Sequence, residues 1–155
     1  MRLVFILILF LPAHIYCQQI LTATEAKRIR AIVEAEEHIG KPYKYKENNT
    51  IFDCSGYVRF VMNEIKKNIT RSTVSQIHDG KRVNNIEDAK AGDIILFKGR
   101  SLRNNRPGHV GIVHHWSNDT LYFIHSSTSR GVIVDNLYES YFQKRFLQVR
   151  NVIGE

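Results

Sequence analysis

The sequence predicts an α+β domain in which helices come first and an antiparallel sheet follows. Three observations predict it. Helical spacing of apolar residues is confined to the first half of the chain, strand spacing takes over from Ala91, and turn residues divide the later apolar runs at hairpin intervals.

The first residues stand apart from that domain. Met1 and Arg2 are followed by an apolar run of eleven residues, Leu3 to Ala13, whereas a membrane-spanning helix needs about 20. A basic start and a short apolar centre are the layout of a secretory signal peptide. The expected cut follows Cys17, making residues 18–155 one domain that is exported to the periplasm or secreted, with no stable membrane insertion. Bulky Tyr16 beside Cys17 disfavours lipid attachment there. Beyond the leader, Cys54 is the one cysteine, so no internal disulfide is expected and its thiol is either a buried apolar group or a reactive one. The net charge of +7 comes from scattered basic residues, not from one basic face interleaved with aromatics. It therefore favours an anionic surface such as the bacterial wall over nucleic acid.

Thr22 and Glu25 have the spacing of a capping box, and Ile29, Ile32, Val33, Ala35 and Ile39 recur at helical spacing up to a stop at Gly40. Residues 43–52 read as irregular and polar. A second helix begins near Cys54, capped by Asp53, with Tyr57, Val58, Val61, Met62 and Ile65 as its apolar stripe. A short helix is expected over 73–78. Strands follow over 92–99, 109–116, 121–127, 131–137 and 146–153, the second and third paired around Ser117-Asn118-Asp119.

Three places in this frame carry chemistry. Cys54 lies at the first turn of a helix, where unpaired N–H groups and the helix dipole favour a thiolate, which is the nucleophilic form. Small Ser55 and Gly56 leave room for a substrate carbonyl, and the Cys54 N–H is placed to stabilise an oxyanion. His109 opens a strand after Pro107-Gly108, within expected reach of Cys54 as a general base, and Gly111 on the same face leaves room for a helix to approach. His125 returns beside His109 on the next strand, where it accepts the His109 ring N–H and fixes its tautomer. No metal or other cofactor is expected. At strand spacing His114 faces away from His109 and His115 lies further along, so these rings and His125 do not converge on one point.

Taken together, Gly40-Lys-Pro-Tyr43, Phe52-Asp-Cys54-Ser-Gly56-Tyr57-Val58, Ala91-Gly-Asp93-Ile-Ile-Leu-Phe97, Gly108-His109-Val-Gly111-Ile112-Val113 and Ile124-His125-Ser126-Ser127 resemble the NlpC-type family of bacterial cell-wall cysteine peptidases, in the family's order. The resemblance implies a papain-like fold, with the nucleophile at a helix N-terminus packed on a sheet of about five strands. It implies Cys54 as nucleophile, His109 as base and His125 as the third polar residue. Tyr43 matches a tyrosine at the oxyanion, while Asp53 and Ser55 match positions that shape substrate binding. The implied substrate is the stem peptide or cross-link of peptidoglycan, for example the bond between γ-D-glutamate and a diamino acid. Separately, a monomer is expected. Two segments depart from the family pattern: Lys46-Glu47-Asn48-Asn49 stands in place of a glycine pair, and residues 99–108 form a longer, more basic loop. A related papain-like amidase or toxin hydrolase, and a wall-binding module without activity, are the alternative readings.

Overall fold

The computed structural model describes residues 22–154; the expected leader, its cut after Cys17 and the question of lipid attachment lie outside the described residues. Helices α1 (Ala23–Glu36) and α2 (Cys54–Glu64) flank a small hairpin of β1 (Lys46–Glu47) and β2 (Thr50–Ile51). After the short α3 (Thr73–Gln76) come β3 (Lys81–Val83), β4 (Ile94–Lys98), β5 (Pro107–Ser117), β6 (Thr120–Ser127) and β7 (Gly131–Asn136). A short α4 (Ser140–Gln143) and β8 (Phe146–Asn151) follow. The main sheet is antiparallel, with strand order β3-β8-β4-β5-β6-β7.

The α+β class therefore holds, but the sheet has six strands where about five were expected. The extra one, β3, is a three-residue edge strand carrying Lys81 and Arg82. Short, charged edges resist pairing with other chains and leave no apolar alternation to detect. The polar segment 43–52 is likewise not irregular. Asn48 and Asn49 both take positive φ (44° and 62°), the conformation of a two-residue hairpin turn. The same turn at Asn118 and Asp119 joins β5 to β6.

Helix α1 is capped as expected, with Thr22 Oγ1 accepting from the Glu25 N–H and the Glu25 carboxylate accepting in return. Its buried face is only partly the expected one, since Ala35 is buried and Ile32 packs against the core but the rest of the stripe does not. Ile29, Val33 and Ile39 are about half exposed, and Arg28, Ala31 and Ala35 point inward. The cause is a polar anchor. Arg28 donates to Asp93 (2.8 Å), to the Ala91 carbonyl (2.7 Å) and to Asn151 (2.9 Å), and that network turns the helix. The helix also stops at Glu36, and the chain reaches Gly40 through tighter i→i−3 turns before Gly40 adopts φ +86°.

The stripe of α2 is buried as read, from Tyr57 to Ile65, against Ile94, Leu96, Val110, Ile112, Ile124 and Val132 of the sheet. The Tyr57 hydroxyl donates to the Ala35 carbonyl at 2.8 Å and ties the two helices together. On the opposite face of the sheet, Ile95, Phe97, Val113, Leu121, Phe123 and Val149 are covered by Leu137 and Phe142. Each fully buried side chain of this size stabilises the fold by roughly 1.5–3 kcal/mol. The start of α2 is fixed against the sheet as well, because buried Ser126 on β6 donates to the Phe52 carbonyl at 2.8 Å.

Candidate active site

Cys54 is the first residue of α2 and Asp53 is its N-cap, accepting from the Gly56 N–H at 2.7 Å. Arg71 grips the same carboxylate with two nitrogens, at 2.7 and 3.0 Å, and also donates to Ser55 Oγ at 2.9 Å. Burial raises the Asp53 carboxyl, but the Arg71 and Gly56 hydrogen bonds outweigh it and hold the group below its ordinary range. Neither Arg71 nor Thr73 stood out in the sequence. Both reach the site because Gln76 donates to the carbonyls of Ser55 (3.1 Å) and Thr70 (2.9 Å), folding residues 70–76 over the start of α2. Tyr43 is half-buried beside this cluster. Burial raises its hydroxyl, and the nearby Cys54 and Asp53 raise it further.

Cys54 is 9% exposed. Its side-chain hydrogen-bond partner is Thr73 Oγ1 at 3.8 Å, and no hydrogen bond joins it to His109. Strand β5 meets it instead through the backbone N–H of Val110, the residue after His109. The expected depression of the thiol is overturned. Burial pushes Cys54 up and Asp53 adds to that, while Thr73 and the N–H groups of Val110 and Ser55 oppose without reversing it. At rest the group is a thiol. Gly56 does not open space for a substrate either, because a Cβ there would lie 1.9 Å from the Ile51 carbonyl oxygen. Its role is to let β2 lie against the helix.

His109 and His125 meet as expected. His109 Nε2 lies 2.8 Å from His125 Nδ1, and the rings stand edge to face with centroids 4.8 Å apart. Gly111 makes this possible, but not by admitting a helix. A Cβ at Gly111 would come within 2.9 Å of the Ile124 carbonyl oxygen and 3.1 Å of His125 Cβ, so the element it admits is β6. Behind His125 stands a residue the sequence reading missed. Asp135 Oδ2 lies 3.0 Å from His125 Nε2, and Arg130 binds both Asp135 oxygens. Burial raises the Asp135 carboxyl, but His125 and Arg130 together hold it below its usual range. Burial, reinforced by His125 and opposed by Asp135, lowers His109 to about 3. The resting pair at neutral pH is a thiol and a neutral imidazole.

A cavity of about 790 Å³ opens on the histidine side, lined by His109, His125, Arg130, Lys98, Arg100 and Tyr141 among others. Among the described residues no three of His, Cys, Asp and Glu gather so as to hold a metal ion.

Against known proteins, the model of the NlpC/P60 family matches residues 40–151. The murein DD-endopeptidase MepS/murein LD-carboxypeptidase of Escherichia coli K12 is 36% identical over 103 residues, covering 66% of this chain and 50% of that protein. The probable endopeptidase NlpC of the same organism is 35% identical over 115 residues, covering 73% and 70%. The chain thus spans about half the length of the first relative. Among solved structures, a lipoprotein-like NLP/P60 protein of Staphylococcus aureus superposes with a TM-score of 0.70 at 25% identity, covering 84% of this chain and 43% of that one.

Proposed function

The chain belongs to the NlpC/P60 family, and on that premise we propose that it is a cysteine endopeptidase or amidase that hydrolyses peptide bonds in peptidoglycan. The stem peptide or cross-link is the substrate, for example at the bond from γ-D-glutamate to a diamino acid. The chain acts as a monomer outside the cytoplasm. Among the described residues no helix is long and apolar enough to cross a membrane.

One observation supports this reading above the others: the hydrogen bonds behind His109 commit its Nε2, leaving Nδ1 as the ring nitrogen available to the thiol. A substrate carbonyl bound over the start of α2 is attacked by Cys54 Sγ as His109 Nδ1 takes the thiol proton. The carbonyl oxygen gains negative charge and accepts from the Cys54 N–H, with the Tyr43 hydroxyl as a second donor. His109 then passes its proton to the departing nitrogen, the C–N bond breaks, and the acyl group remains on sulfur as a thioester. Water, deprotonated by His109, attacks the thioester. The acid is released and the proton returns to Cys54. Asp53, Ser55 and Arg71 form the polar wall beside the nucleophile that holds the acyl side of the substrate.

The test is digestion of purified peptidoglycan by the protein and by its Cys54→Ala variant, with mass spectrometry of the soluble products. New amino termini within stem peptides, released by the first and not by the second, are the expected result and identify the bond. Absence of release by both, with Cys54 unmodified by iodoacetamide at any pH at which the protein stays folded, would replace this reading with that of a wall-binding module.

A further inference from the structure

We propose that Asp135, held by Arg130, is a positioning residue that sets where the protons sit on the His125–His109 pair and so keeps the base nitrogen of His109 bare. The inference rests on the hydrolase reading for its effect on rate, but not for its effect on the rings.

A carboxylate only accepts hydrogen bonds, and a neutral imidazole has one donor and one acceptor nitrogen. Asp135 is 6% exposed, so its charge requires partners, and the two it has are Arg130 and His125. Facing that carboxylate at 3.0 Å, His125 Nε2 carries the proton and donates. Its Nδ1 is then the acceptor, and the contact at 2.8 Å assigns the donating N–H to His109 Nε2. His109 Nδ1 is left with a lone pair. Two rings in series thus transmit a single acceptor, Asp135, to the nitrogen that takes the thiol proton on the proposed mechanism.

The placement comes from the sheet. His125 pairs with Ile133 across β6 and β7, and Asp135 pairs with Phe123. Residues two apart on a strand share a face, so Asp135 is the diagonal cross-strand neighbour of His125. Arg130 lies in the turn just before β7 and returns to Asp135 five residues on. Burial separates the roles of the two. The Asp135 and His125 side chains are 5% and 3% exposed, whereas Arg130 is 55% exposed and lines the cavity that His109 also lines. Arg130 neutralises the carboxylate from the solvent side, so the pair can be altered from the surface without opening the core.

Without Asp135 the rings have no reason to keep this arrangement. In Asp135→Asn the Arg130 guanidinium attracts the amide oxygen, which turns the amide NH₂ towards His125 and asks Nε2 to accept. The protons on both rings then move to Nδ1, and His109 presents an N–H to the thiol in place of a lone pair.

The experiment uses the full chain labelled with ¹⁵N, with two-bond ¹H–¹⁵N spectra of the histidine rings at neutral pH. His109 and His125 are assigned through His109→Gln and His125→Gln. In the parent, both rings are expected to carry the proton on Nε2. In Asp135→Asn both are expected to carry it on Nδ1, and the alkylation rate of Cys54 by iodoacetamide should fall. The kcat on stem peptides should fall by roughly 10- to 100-fold with KM little changed, less than the 10²–10⁴ typical of positioned acid–base catalysis as a whole. Because Asp135 is buried, Arg130→Gln serves as a second variant at an exposed position. There the protons stay on Nε2, but the Asp135 carboxyl rises for want of its cation, so the acid limb of the kcat profile should move to higher pH. Arg130→Lys should restore it. Protons on Nδ1 of either ring in the parent, or Asp135→Asn with both rings unchanged and kcat within twofold, would overturn the proposal. If the parent releases nothing from peptidoglycan, the hydrolase reading fails, and the ring spectra and the alkylation rates still decide this one.

Discussion

The two halves of the site are built on opposite plans. On the cysteine side, the charged groups are an Asp53–Arg71 pair whose side chains are 29% and 43% exposed, open to solvent and to a substrate. On the histidine side, the ionisable groups run inward from partly exposed His109 through buried His125 to Asp135, and Arg130 returns to solvent at the far end. Exposed ion pairs contribute little to stability and can trade partners, whereas a buried polar chain holds one arrangement because every member needs its neighbour. On the proposed function this difference is a division of labour, in which the polar wall at the helix end recognises substrate and the strand pair moves protons.

The comparison breaks first on Cys54→Ala, which should abolish peptidoglycan cleavage without loss of folding, measured by fragment release and circular dichroism. His109→Ala should lower kcat by roughly 10²–10⁴-fold, and His125→Ala by less, since that ring orients and does not react. A variant of His125 as damaging as that of His109 would merge the two roles. Arg71→Gln should act differently, on KM. Loss of a charge-assisted hydrogen bond of about 1.5–3 kcal/mol predicts a rise of about tenfold or more, with kcat held; an unchanged KM would remove the cysteine side from recognition.

The pH responses sharpen the same contrast. Burial raises the Cys54 thiol, so alkylation by iodoacetamide should keep climbing with pH beyond the ordinary cysteine range. A plateau already reached below neutrality would mean a preformed thiolate–imidazolium pair. His109 shifts the other way, from 6.5 to about 3. The unfolded chain binds that proton first as pH falls, so the stability His109 contributes is complete above pH 6.5 and is lost between there and about pH 3. The slope in denaturant titrations should approach about 1.4 kcal/mol per pH unit in that window, and His109→Gln should flatten it. The smallest effect is that of salt. Added salt should weaken substrate binding through the exposed Asp53–Arg71 pair while leaving the buried histidine chain untouched.

What the sequence revealed follows the same physical line. The stripe of α2, the cap at Asp53 and the meeting of His109 with His125 were legible because each is a local pattern of period or spacing. The face of α1 was legible only in part, at Ile32 and Ala35, since Arg28 reaches partners at Asp93 and Asn151 that only the folded sheet brings near. Asp135 was hidden for a similar reason. It sits in Val-Ile-Val-Asp-Asn, a strand whose register against β6 decides whether the carboxylate meets His125 or solvent. Asn48-Asn49 did carry a readable signal, as two adjacent residues tolerant of positive φ between short polar strands. The raised thiol of Cys54 was unreadable from position alone. A helix start argues for a thiolate and burial argues against it, and only the structure shows which prevails.

The most direct measurement is acid-quenched, pre-steady-state digestion of stem-peptide fragments, with peptide mapping of the protein by mass spectrometry. The account predicts an acyl group on Cys54 as a thioester, formed with release of one equivalent of the new amine and absent from Cys54→Ala. Amine release with no adduct on Cys54, undiminished in Cys54→Ala, would contradict it.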